Sequence, residues 1–182
     1  MRKAMLASTI VLGLAAAGYA QDTASKAPRS SGSADLTFVF DAAKGGMAEV
    51  ELGRLAADKA SSDDVKKFGQ RMVTDHSKAN DELKTLAQSK SITLPTEIDA
   101  KDKATHDRLA KLSGAAFDRA YMAHMVTDHR KDVNEFRKES TSGKDSDVKS
   151  WASKTLPTLE EHLKMAQDTD KAVGTSGVKS KK

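Results

Sequence analysis

Val65, Phe68, Met72, His76, Ala79, Leu83 and Leu86 follow one another at spacings of three and four residues. That spacing gathers them on one side of an α-helix and scatters them over both faces of a strand. Three further stretches repeat the pattern. Phe40, Ala43, Met47 and Val50 mark one between about Ser33 and Ala60. Met122, Val126, His129, Val133 and Phe136 mark another between about Ala115 and Ser140. Val148, Ala152, Thr155, Leu159, His162 and Ala166 mark a last one between about Asp145 and Ala172. Four amphipathic helices of this kind would each be roughly 35–40 Å long. Packed together they bury one continuous core, which predicts an all-α four-helix bundle.

The connections refine that expectation. The first and second helices, and the third and fourth, are joined by short turns and should run antiparallel. Between the second and third lie residues 91–113, enough chain to travel back along the bundle. A crossover in that place is the ferritin-like arrangement. Pro95 breaks the linker, and Asp99 to Leu112 reads as a short extra helix ended by Ser113-Gly114. Ser61 or Ser62 is placed to cap the second helix, with Asp63 and Asp64 complementing its positive end. Gly45, Gly46 and Gly53 weaken the first helix by about 1 kcal/mol each relative to Ala. They fit where another helix packs close or where the helix kinks. Pro157 predicts a kink or one-turn break in the last helix.

The 182 residues hold 30 Lys and Arg against 26 Asp and Glu, a net charge of +4. Much of that balance lies at the ends. Arg2 and Lys3, an apolar run from Ala4 to Ala17, and Gly18-Tyr19-Ala20 read as a signal peptide cleaved after Ala20. The apolar run is shorter than the roughly 20 residues a membrane span needs. The mature chain is then expected to be periplasmic or secreted, with no transmembrane anchor. Residues 21–34 read as a flexible leader, 35–172 as the bundle domain and 173–182 as a disordered Lys-rich tail. Set apart from leader and tail, the bundle carries a small negative charge. This balance, and the lack of basic and aromatic interleaving, argue against nucleic acid as a partner. The lysine tail allows weak contact with an anionic envelope surface, and a homo-oligomer is left open. Cysteine is absent, which excludes disulfide scaffolds, zinc–thiolate sites and thiol nucleophiles.

One short sequence occurs twice. Met72-Val73-Thr74-Asp75-His76 returns as Met125-Val126-Thr127-Asp128-His129, with a looser copy at Thr158-Leu159-Glu160-Glu161-His162. Three helices thus carry an acid–His pair. Each His lies on the apolar stripe, and each acid lies about 100° around the helix, toward a neighbour. In this respect the chain resembles an exported bacterial family, domain of unknown function 4142. The resemblance rests on Ala48 to Ala56, Val65 to His76, Phe117 to His129 and Leu156 to Leu163, and spans about Asp35 to Ala172. It implies a ferritin-like fold and a periplasmic location, with no established reaction. It also implies that Glu49, rather than Glu51, is the acidic position of the first helix.

Three readings of the histidines follow. In the first, His76, His129, His162 and Glu49 converge as a metal set suited to one transition-metal ion. Asp75, Asp128 and Glu161 would then accept the second ring N–H of a ligand on an adjacent helix. In the second, the bundle holds a di-iron centre. That requires Glu-x-x-His, and the residues three before each His are Val73, Val126 and Leu159. In the third, each His is a core residue satisfied by a neighbouring carboxylate. The corresponding functions are a non-enzymatic envelope or stress-related protein holding a metal ion, a structural or interaction module, and a metal-dependent oxidase. The stress role comes from analogy with ferritin-like proteins. His106 is expected to be solvated and His124 to pair locally with Asp128.

Overall fold

The periodic stretches become helices close to where their patterns begin and end. A computed structural model describes residues 32–179, with side chains to residue 174. The signal segment, nearly all of the leader and the lysines at 181 and 182 lie outside the described residues. Five helices follow in order: α1 (Ser33–Lys59), α2 (Asp63–Ser89), α3 (Ala100–Ala110), α4 (Gly114–Ser142) and α5 (Ser146–Lys179). No strand occurs among the described residues.

The core lies in two halves. Leu52 and Ala56 of α1, Phe68 and Met72 of α2, Phe117, Tyr121 and Met125 of α4, and Ala166 of α5 form one. Val39 and Ala43 of α1, Leu83 of α2, Val133 and Phe136 of α4, and Val148, Trp151 and Leu159 of α5 form the other. These memberships fix the directions. The first half takes the end of α1, the start of α2, the start of α4 and the end of α5. Thus α1 and α5 run one way, and α2 and α4 the other. The hairpins α1–α2 and α4–α5 pack side by side, with α2 against α5 and α1 against α4. Residues 90–113 return the chain along the bundle and include α3. This is the ferritin-like four-helix bundle with a short helix in its crossover.

Several local expectations are corrected. The buried face of α1 is Val39, Ala43, Gly46, Glu49, Leu52, Gly53 and Ala56. Phe40, Met47 and Val50, the larger residues of the expected stripe, are only half-buried. Close helix packing selects small residues for the face and leaves bulk at its edges. Gly53 shows why. A Cβ there would lie 2.7 Å from the Gly69 carbonyl oxygen, and a Cβ on Gly69 would lie 2.7 Å from that of Gly53. A Cβ on Gly46 would overlap the Asn80 side chain, whereas Gly45 faces open space.

The helix α5 passes through Pro157 without a break. It also continues past Ala172 to Lys179, through seven residues that the sequence assigned to the tail. Val173 extends the stripe of Leu159 and Ala166 at seven-residue intervals and is buried in the first core half.

Capping is supplied from a distance. Ser62 is the N-cap of α2, but its own side chain makes no cap bond. Asp118 near the start of α4 accepts the backbone N–H of Ser61 at 3.0 Å and of Ser62 at 2.9 Å, and also the Ser61 hydroxyl. At the other end of the bundle, Asp35 near the start of α1 accepts the N–H of Lys144 at 3.1 Å and of Asp145 at 2.8 Å. Both acids are almost fully buried.

Two stability measurements check this packing. Asp118→Ala leaves two backbone donors unmet, and should lower stability by about 2–3 kcal/mol in urea unfolding. Gly53→Ala gains about 1 kcal/mol in helix propensity but forces two backbones apart. Overpacking costs about 1–3 kcal/mol, so the net change should be a loss. A stabilised Gly53→Ala protein would contradict the close approach.

Candidate metal centre

Between the two apolar halves each long helix contributes one polar residue. Glu49 stands between Ala43 and Leu52 on α1, His76 between Met72 and Leu83 on α2, His129 between Met125 and Val133 on α4, and His162 between Leu159 and Ala166 on α5. All four are buried: Glu49, His129 and His162 are 0% exposed and His76 is 6% exposed. The ring centroids lie 5.7 Å apart for His76 and His129, 5.4 Å for His76 and His162, and 5.4 Å for His129 and His162. One ring nitrogen from each lies within 4.8 Å of the other two. Three helices therefore bring three imidazoles to a single point.

Two of the three rings, His129 and His162, are held from behind through their other nitrogen. His129 Nδ1 is 3.0 Å from the Met125 carbonyl oxygen, one turn earlier, and donates to it. That fixes the tautomer, leaving Nε2 with its lone pair. His162 Nε2 is 2.9 Å from Asp75 Oδ2 on α2. Burial pushes the Asp75 carboxyl up, but hydrogen bonds from Arg71 and His162 outweigh it and hold it below the usual range. Ionised Asp75 accepts from His162 Nε2–H, so Nδ1 carries the lone pair. The buried ring nitrogens without any hydrogen-bond partner are His76 Nε2, His129 Nε2 and His162 Nδ1.

The expected acids meet different fates. Asp75 backs His162. Glu161 is exposed and pairs with Arg71 at 3.2 Å; its charge acts on His162 only from a distance. Asp128 turns to α1, where one oxygen each from Glu49, Asp128 and Asp132 lie within 4.8 Å of one another. Glu49 Oε1 lies 3.7 Å from His129 Nδ1, the nitrogen already committed to Met125. The geometry therefore separates a histidine group from a carboxylate group and places Glu49 in the second. Asp132 was not singled out from the sequence. Its signal was the i, i+4 spacing from Asp128, which sets both on one face.

Electrostatics follow burial. Desolvation lowers His76 well below its usual range, helped by repulsion from His129 and His162. Burial lowers His129 to about 4. Burial also lowers His162, opposed by Asp75. Three neutral imidazoles are what a metal ion requires as ligands. Burial pushes Glu49 well up, and the charges of Asp128 and Asp132 add to it. His124 is half-buried and outside the group, and His106 lies 3.5 Å from Asp107. Met72, Met122 and Met125 are buried packing of the first core half.

The residues present fit a single borderline or soft cation. The three rings are buried and convergent, burial favours their neutral form, and one nitrogen of each has no hydrogen-bond partner. Glu-x-x-His pairs, the ligand pattern of di-iron bundles, are absent from the three histidine positions.

Fold and core together define a ferritin-like bundle interrupted by a layer of histidines. The chain matches the family described as domain of unknown function 4142 over residues 20–169, and it belongs to that family. No curated protein matches it. Among solved structures it is similar to a DUF305 fragment from Deinococcus radiodurans, with a TM-score of 0.67 at 10% identity, covering 80% of this chain and 98% of that one. It is also similar to CopM in the Cu(II)-bound form, with a TM-score of 0.64 at 17% identity, covering 76% and 96%. CopM in the Cu(I)-bound form gives 0.61 at 17% identity, covering 74% and 93%. At these identities the likeness is one of fold. No helix among the described residues is long and apolar enough to cross a membrane.

The His129 ring should stay neutral in metal-free protein until the pH approaches 4, which ring-nitrogen chemical shifts would report. The sign for stability follows. Unfolded His takes up its proton near pH 6.5, before the folded ring does, so this group favours unfolding as the pH falls from 6.5 toward 4. A protonated His129 at pH 6 in folded protein would contradict its burial.

Proposed function

We propose that this protein is a non-enzymatic envelope protein that holds one transition-metal ion in its core through His76, His129 and His162. The observation that carries the reading is three buried imidazoles that each bring one nitrogen within 4.8 Å of the others, and that each keep one nitrogen without a hydrogen-bond partner. Buried polar atoms are almost always satisfied, and three together call for a shared partner. Neutral imidazole suits copper, zinc, iron or nickel. The copper-bound states of CopM, a protein of the same fold, support copper as the first ion to try. Bound there, such an ion would supply Lewis acidity or, for copper, one-electron chemistry. The chain's own residues orient the ligands: Met125 through its carbonyl, and Asp75 through His162.

Storage or sequestration fits the surroundings better than turnover. The cavity that reaches His76 has a volume of about 100 Å³. Ligand sites for substrates typically need about 300–1,000 Å³. The signal-like N-terminus supports export, and a stress-related role is the corresponding physiological reading.

A purely structural or interaction role has one observation in its favour, the His162–Asp75 hydrogen bond, which needs no ion. It leaves three ring nitrogens unexplained.

Metal-free full-length protein should bind one equivalent of Cu²⁺ or Zn²⁺, seen by calorimetry and as a raised melting temperature. His129→Gln should abolish that binding. Asp75→Asn should weaken it about 10–100-fold, the usual effect of losing the group behind a ligand. Absence of both ion uptake and thermal shift would refute the reading.

A further inference from the structure

We infer that Glu49, Asp128 and Asp132 form a second cation position, for a hard, oxygen-seeking divalent ion, beside the histidine layer. One oxygen from each carboxylate lies within 4.8 Å of the others. Two independent observations point to a ligand there. Glu49 is fully buried, and no hydrogen-bond donor reaches either of its oxygens. A cavity of about 100 Å³ lies beside the group, walled by Asp128, Asp132 and the buried His76 though not by Glu49. That volume admits several waters. Small divalent cations such as Mn²⁺ and Mg²⁺ are held in this way, by one or a few carboxylates with part of their water shell kept.

The lysines along the cavity make no ion pair with Glu49, Asp128 or Asp132, although the Lys131 charge favours ionised Asp132 from a distance. Lys44 is paired with Asp41 at 3.1 Å and Lys131 with Glu135 at 3.3 Å. Lys101 is exposed. Chemistry separates the two positions: carboxylates suit Mg²⁺, Ca²⁺ and Mn²⁺, and imidazoles suit copper and zinc. The side chain of His129 stands between them, facing Glu49 with Nδ1 and the histidine group with Nε2. The carboxylate position does not depend on an ion in the histidines. The competing arrangement is a proton shared between Glu49 and Asp128, which would leave the cavity to water.

The test is Mn²⁺ titration of metal-free full-length protein, followed by loss of the free-ion electron paramagnetic resonance signal. One Mn²⁺ should bind per chain. Asp132→Asn and Asp128→Asn should each weaken binding at least tenfold, with circular dichroism and melting curves confirming the fold. Two variants are used so that a folding loss in one leaves the other to decide. His162→Gln, which removes a histidine ligand, should leave Mn²⁺ binding unchanged even where it abolishes Cu²⁺ or Zn²⁺ binding. No Mn²⁺ binding would overturn the inference. So would binding that survives both Asp variants, or binding lost in His162→Gln but kept in the Asp variants.

Discussion

Four ionisable side chains meet in the middle of this bundle, one from each long helix, with apolar packing above and below. Removing such groups from water costs several kcal/mol apiece unless they are neutral or well paired. Without a bound ion the protein meets that cost mainly by neutrality. His76, His129 and His162 lose their proton affinity to burial, and Glu49 gains it. The layer also sets register. A slide of one helix by a turn would carry its polar residue into hydrocarbon and leave the others facing an apolar side chain. Neighbouring choices, from the glycines of α1 to the position of the crossover, keep the four residues level.

The same acid–His dipeptide behaves differently on each helix because its neighbours differ. The α2 helix adjoins α5, so Asp75 reaches His162. The α4 helix adjoins α1, so Asp128 reaches Glu49 rather than an imidazole. On α5, Glu161 points outward to Arg71. A repeat in sequence is thus resolved by topology into a hydrogen bond to a ligand, a member of an acidic group and a surface ion pair.

The fold was legible where stripes are made of large residues at regular spacing. Helices α2, α4 and α5 declare their buried faces through Phe68, Met122 and Leu159, and the 90–113 crossover declares their order. The stripe of α1 was not, because helices that approach to glycine contact bury Gly46, Gly53 and Ala56, and hydrophobicity does not flag such residues. The convergence of the histidines could be anticipated, since each lies on its stripe at a matching place. The location of Glu49 could not: whether a buried acid faces a ring nitrogen or another carboxylate depends on the rotation of α1 about its own axis. Asp118 and Asp35 were equally silent, being ordinary acids near helix starts whose cross-bundle partners are more than fifty residues away.

Those two acids make the hairpins reciprocal. The turn of α1–α2 has its free N–H groups closed by α4, and the turn of α4–α5 has its own closed by α1. Neither hairpin, taken alone, can complete its own backbone bonding or cover its own stripe. In assembly terms the chain is a dimer of unlike hairpins whose subunits happen to be tethered by residues 90–113. The tether supplies effective concentration, and recognition resides in two carboxylates at opposite ends of the bundle.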